Sequence, residues 1–350
     1  MKNMKIWAVV IALSVFFAAC KKDPDPVAVQ PYEAGVFITH EGAFSGGTGT
    51  VSFYNRTVGG IKNDIFGTEN TGAAVGNILQ SMSVANGKAY LVVNNANRIV
   101  VADAKTFKYQ DSIVGTVLPR YFLAIDDKKA FVSEWGTGGT NGAVKVLDLA
   151  TKKFTKTIAT GKGAERLLKV NNAIWTVNNG GFSSDSTLAI IDITSEALTS
   201  KITVGTSPNS LVQDANGDVW VLCGGAWGAP NGRLVQIKNN AVVATFNVPQ
   251  GSGSLVTNAT KNTLYFVGGK AIYQKDLTTA APSVFVDKPT ATAAFGALYG
   301  LGIDPKTSNL FLADAKNYSA TGTVYVFNTA KLLQDSMKTG VIPSNFWFTN

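Results

Sequence analysis

The sequence has little of the side-chain chemistry that most enzymes use. It contains one histidine, His40, and charged residues make up only 15% of its 350 positions. A single imidazole nearly excludes metal sites built from several histidines and disfavours serine–histidine–acid triads. No Gly-x-Gly-x-x-Gly motif follows a predicted strand and opens a helix, so nucleotide-binding motifs are absent. We therefore expect no catalytic residue, no metal and no cofactor.

Cysteine and basic clusters are also scarce. The only cysteines are Cys20 and Cys223, so the part of the chain after Cys20 has no possible internal disulfide. The net charge is +8, but the lysines are scattered along predicted strand edges and turns. A nucleic-acid-binding surface would need a basic stripe, and we expect no nucleic-acid partner.

The sequence has one long apolar run, and it resembles an export signal. Lys2 and Lys5 precede the run Ile6–Phe17, which is too short to cross a bilayer. The run ends in Phe17-Ala18-Ala19-Cys20, which resembles a bacterial lipobox with Phe in place of the usual Leu. We expect a signal peptide over 1–19, a lipidated Cys20 with a tether over 20–34, and one domain over 35–350. The alternative is an ordinary signal peptide with a chance cysteine.

The residues that follow the expected lipidated cysteine indicate where in the cell envelope the protein is located. In the lipoproteins that this segment resembles, a residue other than Asp after the cysteine favours outer-membrane sorting, and Lys21 fits that pattern. Asp23 and Asp25 resemble signals for display at the cell surface. The resemblance implies an outer-membrane lipoprotein on the cell surface, attached to the membrane through its lipid only.

The rest of the chain is rich in Gly, Asn, Thr and short β-branched runs, which favours an all-β fold of many short strands. Four strands recur in the same order in units of about 45 residues, the length of a four-stranded propeller blade. Three clear units begin at Pro119, Ala164 and Pro208, and weaker ones begin near Leu79, Ser252 and Leu298.

A seventh unit is split between the chain ends. Residues 36–39, 50–54 and 61–66 match the second, third and fourth strands, and residues 343–347 match the missing first strand. The sequence therefore predicts a seven-bladed β-propeller of four-stranded antiparallel blades, closed by pairing of the N- and C-terminal strands. Trp175, Trp220 and the other aromatics near the start of the second strands recur at one position, which indicates inter-blade core.

The repeats support a resemblance to a known group. Ala89–Asn95 and Ala173–Asn179, each followed by a V-x-V-x-D-like strand, resemble the Tyr-Val-Thr-Asn propeller repeats of bacterial surface proteins. Together with the lipobox, the chain is similar to surface propeller lipoproteins that include the cobalamin-capturing proteins working with TonB-dependent transporters. The resemblance implies a corrinoid as ligand and a TonB-dependent transporter as partner. It specifies the fold better than the ligand, since one propeller scaffold carries many functions.

Candidate ligand-binding residues lie in loops expected on one face of the propeller. The predicted loops between second and third strands are long in five units, and each carries one aromatic among glycines and small polar residues. Such aromatics suit a large planar ligand or a protein surface, although each could instead plug a neighbouring blade. The five are Phe44, Trp135, Phe182, Trp227 and Tyr318.

Aligned first strands give a second set, at the expected channel mouth. It is polar and mostly uncharged, which favours recognition of amides and hydroxyls, although part of it could simply bind channel waters. Arg120, Glu165 and Arg166 are its adjacent charged members. The set consists of Gln80, Arg120, Glu165, Asn209, Gly253, Tyr299 and Ser344, and, one residue on, Ser81, Tyr121, Arg166, Ser210, Ser254, Gly300 and Asn345.

Two further features are the single histidine and an aspartate-rich segment over 214–218. His40 ends a second strand at the position that Glu134, Asn178 and Asp314 hold in other units, and we interpret it as a rim hydrogen-bonding group rather than a catalytic base. His40 and Asn178 are both counted among the candidate ligand-binding groups of the rim. Residues 214–218 have the first spacings of a calcium loop, but the Gly is two places early and the final Glu is missing. We interpret them as a hairpin turn.

Three functions are compatible with these sequence features. The first is a surface protein that captures a large nutrient, a corrinoid by resemblance or else a siderophore or glycan. The second is a scaffold that docks other proteins, and the third is a propeller lactonase or lyase. We expect a non-enzymatic protein, because the predicted channel offers chiefly Glu165, with Glu134 and Asp314 nearby, where such enzymes use several metal ligands.

Overall fold

The structure, a computed structural model, describes residues 32–289 and 294–349. These residues form seven four-stranded antiparallel sheets arranged as the blades of a propeller. The predicted signal peptide, Cys20 and most of the predicted tether lie outside the described residues. In the part that is described, no helix is both long enough and apolar enough to cross a membrane.

The strands follow one another blade by blade. The first four blades contain β1 (Gly35–His40), β2 (Thr50–Asn55), β3 (Ile61–Lys62); β4 (Leu79–Ala85), β5 (Lys88–Val93), β6 (Arg98–Asp103), β7 (Tyr109–Val114); β8 (Pro119–Ala124), β9 (Lys129–Glu134), β10 (Gly142–Asp148), β11 (Lys153–Gly161); and β12 (Ala164–Val170), β13 (Ala173–Asn178), β14 (Thr187–Asp192), β15 (Ala197–Thr203). A short helix α1 (Ile65–Glu69) follows β3, and a 3-10 turn spans Thr137–Gly139.

The remaining blades continue the same order. They contain β16 (Pro208–Gln213), β17 (Val219–Cys223), β18 (Asn231–Lys238), β19 (Ala241–Pro249); β20 (Gly253–Thr257), β21 (Thr263–Gly268), β22 (Ala271–Asp276), β23 (Ser283–Val286); and β24 (Leu298–Ile303), β25 (Leu310–Asp314), β26 (Thr321–Phe327), β27 (Leu333–Val341). The last strand, β28 (Pro343–Phe348), joins the first blade.

The two chain ends close the ring, as predicted. The first blade has the strand order β28-β1-β2-β3, and β28 pairs with β1 so that Phe37 lies opposite Trp347. The backbone N–H of Gly35 donates to Thr349 Oγ1 at 2.7 Å. Arg56 donates to the carbonyl of Thr349 at 2.6 Å and forms an ion pair with Asp304 of the seventh blade at 2.7 Å. The ring is therefore closed by strand pairing together with a hydrogen bond and an ion pair of Arg56.

Aromatic side chains fill the spaces between blades. One aromatic occupies the same position in the second strand of every blade, and all seven are buried, because strand alternation turns that position towards the adjacent sheet. Seven separate apolar clusters form the core between neighbouring blades. The seven aromatics are Phe37, Tyr90, Phe131, Trp175, Trp220, Tyr265 and Phe311, which confirms the core prediction.

The first blade departs from the predicted pattern in two places. Its fourth strand was expected over 61–66, but β3 stops at Lys62 and α1 begins at Ile65. Asp64 caps this helix by accepting a hydrogen bond from the N–H of Gly67, which turns Ile65 and Phe66 into the core. Tyr32 is also buried, against Phe37 and Phe53. The packed domain thus includes Tyr32, which the sequence reading assigned to the tether.

Candidate functional site

One face of the propeller carries the long loops. The loops between second and third strands span 41–49, 135–141, 179–186, 224–230 and 315–320 in five blades. They lie beside the loops that join successive blades: the backbone N–H of Trp135 donates to Leu118 at 3.0 Å, and that of Asn179 donates to Gly163 at 2.8 Å. We call this side the loop face. The opposite side carries the turns between first and second strands and between third and fourth strands. Residues 214–218 lie there and form the expected turn.

A cavity of about 180 Å³ opens at the centre of the loop face. The first strands supply most of its lining, because they are the innermost strands of their blades. The aligned set predicted from the sequence is largely brought together here. The lining consists of Glu41, Gln80, Arg120, Tyr121, Glu165, Arg166, Asn179, Asn209, Gly253, Ser254, Tyr299, Ser344 and Asn345.

Glu165 organises one wall of the cavity. Its Oε1 accepts hydrogen bonds from Arg120 Nε at 2.9 Å, from Trp135 Nε1 at 3.0 Å and from Asn179 Nδ2 at 2.9 Å. The Arg120 guanidinium also lies over the Trp135 ring, with its central carbon 4.1 Å from the ring centroid. Arg120 and Glu165 are both largely buried. Their ion pair is supported by several charge-assisted hydrogen bonds.

Arg166 occupies a different part of the cavity. Its Nη2 donates to Asn345 Oδ1 at 3.1 Å, and its guanidinium lies over the Tyr121 ring at 4.9 Å from the centroid. Asn345 in turn donates to the carbonyl of Gln80 at 2.8 Å. Arg166 is therefore oriented by neutral groups.

Glu41 contributes a buried carboxyl group from the loop after β1. The hydroxyl of Tyr299 donates to Glu41 Oε1 at 3.0 Å, and the Tyr299 ring contacts Tyr318 edge-on, with centroids 6.0 Å apart. Burial raises the pKa of Glu41 to about 7, although Arg120 and the Tyr299 hydrogen bond oppose that rise. This carboxyl group can therefore be protonated near neutral pH.

The five predicted rim aromatics are placed in two ways. Phe44, Phe182 and Trp227 are 75%, 72% and 98% exposed, and Tyr318 is about half exposed. Trp135 is partly buried, and its ring meets that of Phe182 edge-on at 5.3 Å. Trp135 thus acts partly as the local plug that the alternative reading described, whereas the other four present aromatic surface to solvent.

The interpretation of His40 and Asn178 as rim groups is wrong. Both side chains are fully buried, because the last residue of the second strand points into the seam between blades. His40 Nδ1 lies 3.2 Å from the carbonyl oxygen of Thr50, and burial lowers the pKa of His40 to about 4. Asn178 donates to the carbonyl of Thr160 and to Thr187 Oγ1. These residues hold adjacent backbone in place and do not line the cavity.

The residues that the sequence reading missed are Glu41 and Asn179. Each directly follows the last residue of a second strand, which is also the position of Trp135. This position lies just past the end of the strand, and in these two blades its side chain lines the central cavity. Aligning the residue after each second strand would have found both.

No group of three or more His, Cys, Asp or Glu side chains within residues 32–289 and 294–349 is placed to hold an ion. Cys223 is fully buried within one of the apolar core clusters, and burial raises the pKa of its thiol to about 12.

Comparison with known proteins identifies the family. Residues 34–349 match the family described as "Domain of unknown function (DUF5074)". The chain belongs to the DUF5074 family. The match covers the propeller of this DUF5074 protein from its first described strand to its last. No curated protein matches the chain.

Solved structures similar to this DUF5074 protein are propellers of varied description. A quinonprotein alcohol dehydrogenase-like protein from Bacteroides thetaiotaomicron is 19% identical, with a TM-score of 0.66 over 91% of this chain and 79% of that one. A candidate 6-phosphogluconolactonase from Bacteroides fragilis is 13% identical, with a TM-score of 0.65 over 93% of this chain and 100% of that one. A functionally unknown protein from Desulfotomaculum acetoxidans is 11% identical, with a TM-score of 0.64 over 91% and 99%. At these identities the likeness shows the fold alone.

Proposed function

We propose that this protein captures a large, partly planar nutrient on its loop face without converting it, and that the nutrient is a corrinoid such as cobalamin. The observation that carries the proposal is the exposure of four aromatic side chains, Phe44, Phe182, Trp227 and Tyr318, in loops around a polar cavity. Large aromatic side chains held in water on one face are typical of a binding surface.

The size of the cavity determines how such a ligand would sit. Sites that enclose a drug-sized ligand measure roughly 300–1,000 Å³, and this cavity measures about 180 Å³. A corrinoid would therefore lie across the loops, with its ring against the aromatic side chains. Its amide groups could then hydrogen-bond to a neutral polar side chain of the cavity lining such as Asn209.

The proposal includes a location and a partner. A lipid on Cys20 would hold the propeller at the outer membrane, facing the cell exterior, and the segment before Tyr32 would act as a tether. A TonB-dependent transporter would receive the ligand. The lipobox-like Phe17-Ala18-Ala19-Cys20 segment and the resemblance of the repeats support this arrangement.

Equilibrium dialysis of the purified protein against cyanocobalamin tests the proposal. We expect retention at micromolar ligand or below, and a loss of affinity of about 10-fold or more in Trp227→Ala and in Phe182→Ala, since buried aromatic anchors at interfaces contribute about 2 kcal/mol or more. Tyr109→Ala is the matched control, because Tyr109 is an exposed aromatic on the outer strand β7.

Two results would overturn the proposal. One is the absence of retained cyanocobalamin at micromolar concentration. The other is a loss in Tyr109→Ala as large as in the two loop variants, which would place binding away from the loop face.

A further inference from the structure

The cavity beneath the aromatic loops contains an unbalanced positive charge. Arg120 and Glu165 neutralise each other through the contacts described above. Arg166 has no carboxylate within 4.0 Å among the described residues, and its one hydrogen bond to a side chain uses Nη2 on the neutral Asn345. A guanidinium has five N–H donors, so most of those on Arg166 are left for a ligand.

Glu41 is the remaining ionisable carboxyl group of the cavity, and its surroundings favour the neutral form. It is buried, and it faces Arg120 of β8, Glu165 of β12 and Tyr299 of β24. Tyr121 and Arg166 complete the titratable and charged lining. Below about pH 7 the burial of Glu41 keeps it protonated. The lining then carries one net positive charge, from Arg166.

We propose that this cavity is a second binding site, for a small organic carboxylate, with Arg166 as its principal anchor. A planar guanidinium matches a carboxylate through two parallel hydrogen bonds. Tyr121 lines the same cavity and is a further polar side chain within it. The volume of about 180 Å³ limits the ligand to an acid of a few carbon atoms. This site lies below the aromatic loops, and its test involves no corrinoid.

The site should respond to pH through Glu41. When Glu41 ionises, it adds a negative charge to a small, largely desolvated cavity, where repulsion of an anion is weakly screened. A small carboxylate should therefore bind more tightly at pH 6 than at pH 8.5. In Glu41→Gln the affinity should be the same at both values.

Isothermal titration calorimetry with lactate, which is ionised at both pH values, tests the proposal. We expect binding to the wild-type protein at pH 6, an affinity about 10-fold or more lower at pH 8.5, and a loss of about 10-fold or more in Arg166→Gln at pH 6. Arg233→Gln, which changes an exposed arginine on β18, is the matched control and should bind as the wild type does. Circular dichroism of each variant separates lost binding from lost folding.

Three results would contradict the proposed carboxylate site. No heat from the wild-type protein at millimolar lactate, or unchanged affinity in a folded Arg166→Gln protein, overturns the site. Equal affinity for inorganic phosphate overturns the assignment to carboxylates, since it would indicate a general anion site.

Discussion

Removal of residues 343–350 is expected to abolish the cooperative unfolding transition of the protein. The shortened chain lacks β28, so β1 loses one of its two partner strands and the first blade becomes a three-stranded sheet with an open edge. Phe346 and Phe348 also pack against Phe311 of the seventh blade. Truncation of a fully buried aromatic side chain costs about 3–5 kcal/mol, and β28 carries three partly buried ones. Losing them together with a strand ladder is a large cost for a domain stable by only about 5–15 kcal/mol.

The measurement is thermal unfolding followed by circular dichroism and by tryptophan fluorescence. Addition of a synthetic peptide of residues 343–350 is the control, because it restores the missing strand without a covalent link and should recover part of the transition. A shortened protein that unfolds cooperatively within a few degrees of the full chain would show that closure of the ring does not depend on β28.

Glu41→Gln is expected to raise the stability of the protein at pH 8 by about 3 kcal/mol and to leave it nearly unchanged at pH 4. Burial raises the pKa of Glu41 to about 7 from 4.5, so the folded state binds the proton more tightly than the unfolded state. The contribution of Glu41 to the free energy of unfolding is therefore fully present below about pH 4.5, and it is lost as pH rises to about 7. A change of this size in pKa corresponds to about 3 kcal/mol.

His40 should produce the opposite trend. Burial lowers its pKa from 6.5 to about 4, so its contribution is present above about pH 6.5 and is lost as pH falls to about 4. In the wild-type protein the two trends should largely cancel between about pH 4.5 and 6.5. In Glu41→Gln only the His40 trend remains, so stability should rise with pH over this range.

Urea unfolding at several pH values measures both effects. A stability difference between Glu41→Gln and the wild type that does not change from pH 4 to pH 8 would contradict the assignment of a raised pKa to Glu41.

The propeller could be predicted from the sequence because its core positions repeat. Trp220 and its six equivalents occupy one position in the second strands, where burial between blades demands a large apolar side chain in every unit. The split first blade followed from the same repeat, since residues 343–347 supply the strand that the N-terminal unit lacks. α1 could not be predicted from that repeat, because its basis is local: Asp64 caps a single turn.

The candidate site could be predicted only in part. Arg120, Glu165 and Tyr299 were found because first strands align between blades and all face the channel. Glu41 and Asn179 were missed because they lie one residue beyond the second strands, where loops differ in length and composition. The error at His40 has the same origin: the last residue of the second strand still points into the seam, and the residue after it, just past the strand end, lines the cavity.

The central claim is that the loop face captures the ligand. Its most direct test is hydrogen–deuterium exchange of the protein with and without saturating cyanocobalamin. We expect ligand-dependent protection in the loops 41–49, 179–186, 224–230 and 315–320, and unchanged exchange in hairpins of the opposite face such as 214–218. No ligand-dependent protection, or protection confined to the opposite face, would contradict the claim.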